Sequence, residues 1–193
     1  MTTLPRCVRI DFDDARSRAD LLSDGWREIE TLNIFERDGL PVAVSPNSGA
    51  VACSVVEPSA EFSEFASRQG AWSRNGRLWR DKAVSAELAM NTYAKWITAA
   101  AEDQSTTRIL GTWCGQPAGF MLIHSDDGCA RINFFVVNNE FRNRGIGKAI
   151  LRQAFAMCGP VLRAGTQSDN AAACHIYMTN GFKLVERQRT FHK

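Results

Sequence analysis

A basic turn with two glycines is the stretch of this sequence whose residue types most clearly suggest chemistry. It consists of Arg142, Asn143, Arg144, Gly145, Ile146, Gly147 and Lys148. Residues 131–137 are apolar, β-branched and aromatic, as in a strand, and residues 146–158 repeat apolar side chains at helical spacing. Glycine lets a backbone approach a ligand closely, and the first N–H groups of a helix are unpaired and partly positive. The turn is therefore predicted to bind an anion, for which phosphate is the usual choice.

Two common phosphate-binding motifs do not fit this turn. A Walker A loop has the pattern Gly-x-x-x-x-Gly-Lys-Ser/Thr, but Arg142 stands at the first glycine position and Ala149 follows Lys148. A dinucleotide-binding fingerprint requires a third glycine where this chain has Ile150. Both motifs are therefore excluded.

A second group of polar side chains lies on a predicted helix that begins at residue 169 or 170. Asn170, Cys174 and Tyr177 are spaced at i, i+4 and i+7. One face of the helix therefore presents an amide and a phenol together. A phenol in such a position can donate a proton to a leaving group.

The elements that must position these groups follow from periodicity and turn signals. From residue 50 we predict strand 51–56, helix 58–68, helix 82–101, strands 108–113, 118–124 and 129–137, helix 146–158, strand 161–166, helix 170–179 and strand 182–191. Residues 69–79 are predicted to be a loop rich in tryptophan and arginine. This order indicates an α/β (α+β) fold in which antiparallel hairpins lead into the strand before the basic turn.

The first part of the chain predicts a strand at residues 6–10, a helix at 14–23 and a strand at 26–37. So short a segment cannot bury an adequate core alone, so a βαβ-like or split unit packed on the rest is expected. Turn clusters between residues 38 and 49 mark a linker. We predict a small amino-terminal α/β subdomain at residues 1–48 and a larger domain at residues 49–193.

Composition narrows the class of protein. The 193 residues include 45% hydrophobic and 23% charged residues, and the net charge is +2. This balance gives no general attraction to nucleic acid or to an anionic membrane, and the chain has no apolar run of spanning length. We expect a cytoplasmic protein without nucleic-acid or membrane partners, and a homodimer is one assembly that the sequence leaves open.

The six cysteines are scattered and form neither a CxxC pair nor a metal-ligand spacing, so no metal is expected. Most lie in apolar runs, which favours reduced core residues. A catalytic cysteine would need a histidine partner, and His124, His175 and His192 leave that alternative open.

Two segments carry a resemblance to a known family. Residues 142–147 resemble the Arg/Gln-x-x-Gly-x-Gly/Ala pyrophosphate loop of the GCN5-related N-acetyltransferases (GNAT). Residues 170–182 resemble the family's Asn-x-x-Ala-x-x-x-Tyr-x-x-x-Gly-Phe segment. With the element order, the resemblance extends over nearly all of residues 50–193. It implies the GNAT acyl-CoA N-acyltransferase fold, a mixed central sheet flanked by helices, and an enzyme that uses acetyl-CoA as cosubstrate.

The resemblance also implies roles for individual residues. The N–H groups of residues 143–148, with the side chains of Arg142 and Arg144, would cradle the pyrophosphate. The backbone of Phe135, Val136 and Val137 would pair with the pantetheine amides, and an N–H group near Val136 or Val137 would stabilise the oxyanion. Asn170 would contact the cofactor. Tyr177 would be the general acid that protonates the sulfur of coenzyme A.

The general base is left unassigned at this stage. In many relatives a carboxylate lies on the strand before the turn, but residues 131–135 here offer only Asn133. Glu87, Asp81 and His124 are candidates, and none is favoured. A base is not required if the amine has a low pKa or passes its proton to water.

The acceptor is suggested by a further, gapped resemblance. Residues 1–49 and the segment around residues 76–97 resemble the nucleotide-aminosugar N-acetyltransferases of the dTDP-fucosamine type. This implies acetylation of a dTDP- or UDP-linked amino-deoxysugar, with Trp72, Arg74, Arg77 and Arg80 as contacts for the sugar and diphosphate. The alternatives are a GNAT enzyme for another amine (a protein amino terminus, amino acid, polyamine or antibiotic) and a non-catalytic acyl-CoA-binding module.

Overall fold

One mixed sheet of eight strands organises the protein in the computed structural model, which describes residues 3–39, 49–71, 74–126, 128–157 and 161–193. The strands are β1 (Cys7–Asp11), β2 (Arg27–Asp38), β3 (Val51–Val56), β4 (Thr106–Trp113), β5 (Gln116–Asp126), β6 (Cys129–Val137), β7 (Val161–Gln167) and β8 (Lys183–His192). The helices are α1 (Ala15–Ser23), α2 (Ala60–Ala71), α3 (Arg77–Arg80), α4 (Ala86–Glu102), α5 (Ile146–Met157) and α6 (Ala171–Thr179). None of the described helices has the length and apolar character that a membrane span requires.

The predicted fold class is confirmed, and most boundaries differ from the predicted ones by a few residues. Helix α4 begins at Ala86 rather than at residue 82, because the Ser85 side chain accepts a hydrogen bond from Leu88 N and caps the helix. The segment expected to be a loop contains the end of α2 and the single turn α3. Trp72 and Cys158 lie outside the described residues.

The cysteines follow the core prediction only in part. Cys53 and Cys174 are buried, whereas Cys7 and Cys114 are exposed. Cys7 lies on the edge strand β1, and Cys114 lies in the tight turn between β4 and β5, so neither position offers a core for the side chain to enter.

The strand order in the sheet is β1-β8-β2-β7-β6-β5-β4-β3. Strand β2 pairs with β7 on one side and with β8 on the other, and β1 pairs with the outer edge of β8. All these pairs are antiparallel, so β1 and β2 are parallel to each other with β8 between them. The amino-terminal segment therefore forms a split βαβ unit within the common sheet. A domain boundary at residue 48 stays a prediction.

Each face of the sheet has its own core. On one face, α5 and α6 bury Ile146, Ile150 and Tyr177 against residues such as Phe35. On the other face, α2 and α4 bury a second cluster. That cluster consists of Phe62, Ala66, Ile97, Ala101, Phe120 and Leu122. The two layers of helices thus shield opposite sides of the central strands.

The sheet opens between β6 and β7. These two strands are parallel, and their pairing runs only from Cys129 opposite Val161 to Ile132 opposite Ala164. Beyond that point Asn133 is an extra residue in the pairing of β6 with β5, which is a β-bulge. A bulge increases local twist, so the ends of β6 and β7 separate and leave a gap in the middle of the sheet.

A buried polar cluster connects the ends of β2 and β8 to the residue that follows α3. Asp81 is 3% exposed and His192 is 0% exposed. The Asp81 Oδ2 atom lies 2.9 Å from His192 Nδ1 and accepts a hydrogen bond from Arg27 at 3.0 Å. Burial raises the pKa of the Asp81 carboxyl, but the Ala83 N–H, His192 and Arg27 together outweigh that effect and hold the pKa below its usual value.

This cluster is expected to make the folded protein less stable at acid pH. Because the folded-state pKa of Asp81 is lowered, its ionised form stabilises the fold above the pKa of the unfolded chain, and this contribution is lost as pH falls through the folded-state pKa. Asp81→Asn should lower the free energy of unfolding by about 1–3 kcal/mol near neutral pH, and by less near pH 3. Urea unfolding at the two pH values measures this. Asp20→Asn, at an exposed position on α1, is the control; equal losses at both pH values for Asp81→Asn would contradict the prediction.

Candidate active site

A cleft of about 1160 Å³ lies where β6 and β7 separate. Its lining comes from both faces of the sheet. On the α5 and α6 side it includes the basic turn and Tyr177, and on the α2 and α4 side it includes Tyr93 and Trp96. The gap between the strands connects the two sides, so a molecule on one side can meet a molecule on the other there.

The basic turn has the backbone shape that an anion site needs. Asn143 and Gly145 have positive φ angles of 61° and 82°, which turns the chain sharply before α5. The lining residues from this turn are Arg142, Asn143, Gly145, Ile146, Gly147 and Lys148. The N–H groups of the first turn of α5 have no partner within the helix, and the positive end of the helix dipole faces the cleft.

Gly147 keeps the floor of this site open. A Cβ atom there would lie 3.0 Å from Ile176 Cδ1 and 3.5 Å from Phe135 Cζ. The first turn of α5 therefore lies close to both β6 and α6, and a side chain at this position would require Ile176 to shift. Because Gly147 has no side chain, α5 can pack closely against β6 and α6, and its backbone stays accessible to a ligand.

Arg144 is placed differently from the other predicted ligands. Its guanidinium lies over the ring of Trp113, 4.8 Å from the centroid, and 5.8 Å from that of Phe141. It is not among the described residues that line the cleft. A cation–π contact of this kind holds the side chain against β4, so a role for the Arg144 side chain in binding pyrophosphate stays a prediction.

Strand β6 presents an unpaired edge to the cleft. Phe135, Val136 and Val137 line it, and they pair on their other side with β5. Strands β5 and β6 lie close together here, since a Cβ atom at Gly119 would lie 2.8 Å from Val136 O. The edge that faces β7 has no strand partner after Ile132 within the described chain, so its N–H and C=O groups can receive an extended ligand.

Asn170 begins α6 and also faces the cleft. Its Oδ1 atom accepts a hydrogen bond from Ala173 N at 3.3 Å, and its Nδ2 atom donates to Thr166 Oγ1 at 3.2 Å. Asn170 thus fixes the start of α6 relative to β7. This holds the helix that carries Tyr177 beside the gap.

Tyr177 lines the cleft but is only 4% exposed. Its ring packs against Phe182, Phe35 and Phe135, with centroid distances of 5.1, 5.6 and 6.4 Å. Burial raises the pKa of the phenol well above its usual value, and the proximity of Cys174 adds to the shift. The hydroxyl group is therefore protonated throughout the neutral range.

The opposite side of the cleft contains polar and aromatic side chains. Its lining residues include Glu30, Leu32, Asn75, Arg77, Tyr93, Trp96, Gln167 and Gln188. Arg77 lies with its guanidinium 4.9 Å from the centre of the Trp96 ring. Of the four residues predicted to contact the acceptor, Arg77 is the one that the described chain brings into the cleft.

Two of the other predicted acceptor contacts, Arg74 and Arg80, lie elsewhere. Arg80 donates two hydrogen bonds of 2.8 Å to the carboxylate of Asp169, and Arg74 lies 5.5 Å from the centre of the Trp79 ring. Neither arginine is among the described lining residues. Trp72 is outside the described residues. Contacts of these residues with an acceptor stay predictions.

The structure separates the three base candidates from the cleft. Glu87 is exposed in the first turn of α4, and Asp81 is bonded to His192 and Arg27. His124 lies 3.2 Å from Ser105 Oγ and lines a second cavity of about 420 Å³. None of them is among the described residues of the main cleft.

Glu30 is a functional candidate that sequence reasoning missed. It is 6% exposed and lines the cleft from β2. In the sequence it belongs to an alternating polar and apolar strand, where a glutamate usually faces solvent. Only the central place of β2 between β7 and β8 shows that this face of the strand borders the cleft.

Comparison with known proteins identifies the family. A sequence model of the acetyltransferase (GNAT) family matches residues 68–182, more than half of the chain, so the chain belongs to the GNAT family of acetyltransferases. Family members generally use acetyl-CoA as acyl donor. Among curated proteins no match was found.

Solved structures share the fold. A GCN5-related N-acetyltransferase from Sphaerobacter thermophilus has a TM-score of 0.66 and 16% identity, over 98% of this chain and 60% of that protein. One from Kribbella flavida has a TM-score of 0.66 and 15% identity, over 97% of this chain and 67% of that protein. A tandem GNAT protein of the clavulanic acid biosynthesis pathway has a TM-score of 0.66 and 13% identity, over 97% and 62%. The chain thus spans less than two thirds of two of these proteins, and at such identities the likeness concerns the fold alone.

The basic turn suits the diphosphate of an acyl-CoA, and Arg142 is the residue that tests this fit. Arg142→Ala should weaken acetyl-CoA binding about tenfold, because a charge-assisted hydrogen bond to phosphate is lost. Titration calorimetry with acetyl-CoA measures the change, which should shrink at high salt. Arg152→Ala, an exposed arginine farther along α5, is the matched control. An unchanged Kd for Arg142→Ala would contradict the assignment.

Proposed function

We propose that this protein transfers an acetyl group from acetyl-CoA to a primary amine. One observation carries the proposal: a single cleft connects the anion-binding turn before α5 to Tyr177 and then, through the gap between β6 and β7, to a second group of polar side chains. Transfer between two substrates requires two binding regions that meet at one point. The cytoplasmic location expected from the sequence remains part of this proposal.

The donor would be held along the α5 and α6 side. The N–H groups of residues 146–148 with the side chains of Arg142 and Lys148 would bind the pyrophosphate. The unpaired edge of β6 would pair with the amides of the pantetheine arm. A backbone N–H near Val136 or Val137 would then face the thioester oxygen, where a donor stabilises the negative charge that develops during transfer.

The chemical step exchanges one bond for another. A C–N bond forms between the acceptor nitrogen and the acetyl carbon, and the C–S bond of the thioester breaks. The nitrogen loses a proton, and the departing sulfur gains one from Tyr177. The place of Tyr177 in the lining of the cleft supports this role, and its phenol enters each cycle protonated.

As acceptor we propose a nucleotide-linked amino-deoxysugar, with dTDP or UDP as the nucleotide. Arg77 offers a cation for a diphosphate, and Arg9 and Arg131 also line the cleft. The ring of Trp96 offers a flat surface for a sugar or a base. The guanidinium of Arg77 over the ring of Trp96 suits an anionic acceptor better than it suits a polyamine.

Release of the coenzyme A thiol from acetyl-CoA tests this function. The amines to be compared are a dTDP-linked and a UDP-linked amino-deoxysugar, a free amino acid, a peptide with a free amino terminus, spermidine and an aminoglycoside. The highest kcat/KM is expected with a nucleotide-linked sugar. If another amine gives the highest kcat/KM, the proposed acceptor is wrong and the proposal of acetyl transfer stands. Tight acetyl-CoA binding without thiol release for any amine would favour a non-catalytic acyl-CoA-binding module.

Tyr177→Phe tests the acid. Loss of the hydroxyl should lower kcat by about 10²–10⁴-fold at saturating acetyl-CoA, the usual contribution of general acid catalysis. The ring contacts remain, so thermal stability and the Kd for acetyl-CoA should stay close to those of the wild type. If the variant keeps a near-normal kcat, Tyr177 is a packed aromatic residue and another group protonates the sulfur.

A further inference from the structure

We infer that Glu30, on the amino-terminal strand β2, is the general base that takes the proton from the acceptor amine. The inference rests on the proposed function, since it assigns a role to a group in the same cleft. It names a residue from outside the part of the chain that matches the family, which is residues 68–182.

Two hydrogen bonds hold the carboxylate of Glu30 near the gap. Its Oε2 atom accepts a hydrogen bond from Gln167 Nε2 at 3.1 Å, and its Oε1 atom accepts one from Thr190 Oγ1 at 3.3 Å. Gln167 is the last residue of β7, beyond the point where β7 separates from β6. The carboxylate therefore lies one side chain away from the gap, on the side opposite the basic turn.

Glu30 differs from the carboxylates around it in its ion pairing. Four nearby carboxylates each have a cationic partner: Glu28 with Arg189, Glu36 with Arg163, Asp81 with Arg27 and Asp169 with Arg80, at 2.6–3.0 Å. The side chains that hydrogen-bond to Glu30 are both neutral, and within the described chain no cation forms an ion pair with it. A buried carboxylate without a cation is costly unless a ligand supplies one.

An acceptor ammonium would supply that cation. Each carboxylate oxygen accepts one hydrogen bond from the protein and has a second lone pair for the amine or for one bridging water. Arg9 donates to Thr190 Oγ1 at 3.3 Å rather than to the carboxylate. Because Glu30 lines the cleft, a molecule in the cleft can reach the carboxylate.

With Glu30 as base and Tyr177 as acid, every proton of the reaction has a donor and an acceptor. The acceptor ammonium gives one proton to Glu30 and becomes a nucleophilic amine. The C–N bond forms with loss of a second proton to solvent, the C–S bond breaks, and the sulfur takes a proton from Tyr177. Solvent returns a proton to Tyr177 and removes the one held by Glu30.

Glu30→Gln is the test, because it removes the basic oxygen and keeps the size of the side chain. With each amine of the panel above as probe, kcat should fall by about 10²–10⁴-fold, while the Kd for acetyl-CoA stays unchanged. Glu87→Gln, on the exposed surface of α4, is the matched control and should retain wild-type kinetics.

The pH profile separates a base from a merely structural residue. Glu30 is faced by Arg9 from β1, Arg80 from α3 and Tyr93 from α4. The wild-type profile of kcat should show an acid limb from protonation of the base, and Glu30→Gln should lack that limb. The limb that reports the amine itself should remain in both proteins.

Three possible results of these measurements test whether Glu30 is the base. If the wild type is active and folded Glu30→Gln keeps kcat within about twofold, Glu30 is not the base. If the wild type releases no thiol with any amine, the proposed function fails and this inference fails with it. If Glu30→Gln does not fold, Glu30→Asp replaces it: a lowered kcat with the acid limb retained supports the base, and wild-type kinetics overturns it.

Discussion

The separation of β6 from β7 is the constraint on which the rest of this site depends. A parallel pair normally continues until one strand ends, but here the hydrogen bonds stop after Ile132 and Ala164 although both strands continue. Backbone groups without partners are costly when buried, so the gap has to be filled by water or by a ligand. The bulge at Asn133 turns β6 away, while β7 keeps its full set of bonds to β2 through residues 32–38. The opening is therefore a stable part of the sheet, with β6 on one side, paired with β5, and β7 on the other, paired with β2.

The position of β7, which borders one side of the gap, depends on the amino-terminal segment. Strand β2 is a central strand, since it lies between β7 and β8 and pairs with both. Without it β7 would be an edge strand and would have only four residues of pairing with β6 to hold it. Residues 3–38 accordingly do more than pack against a complete sheet. They support the strand that borders the gap, and they place Glu30 beside it.

The parts of the fold that depend on local pattern could be predicted from the sequence. Strands β3 and β6 have the predicted bounds, and α6 begins after the Asn170 cap as its sequence indicates, because alternation and caps are encoded within a few residues. Pairing between distant strands is not encoded locally. For this reason the position of β2, and with it Glu30, could not be found. The stacking of Arg144 on Trp113 was missed for the same reason, since β4 and the turn are distant in sequence.

The two faces of the cleft differ in how strongly the family determines them. The match to the acetyltransferase family covers residues 68–182, which include β6, the basic turn, β7 and α6, and so the lining on the α5 and α6 side. On the opposite side it includes Arg77, Tyr93 and Trp96, whereas strands β1, β2 and β8 lie outside it. The family match therefore describes the lining on the α5 and α6 side fully and the lining on the opposite side in part. The part of the lining that the match leaves undetermined comes from β1, β2 and β8, and it includes Glu30.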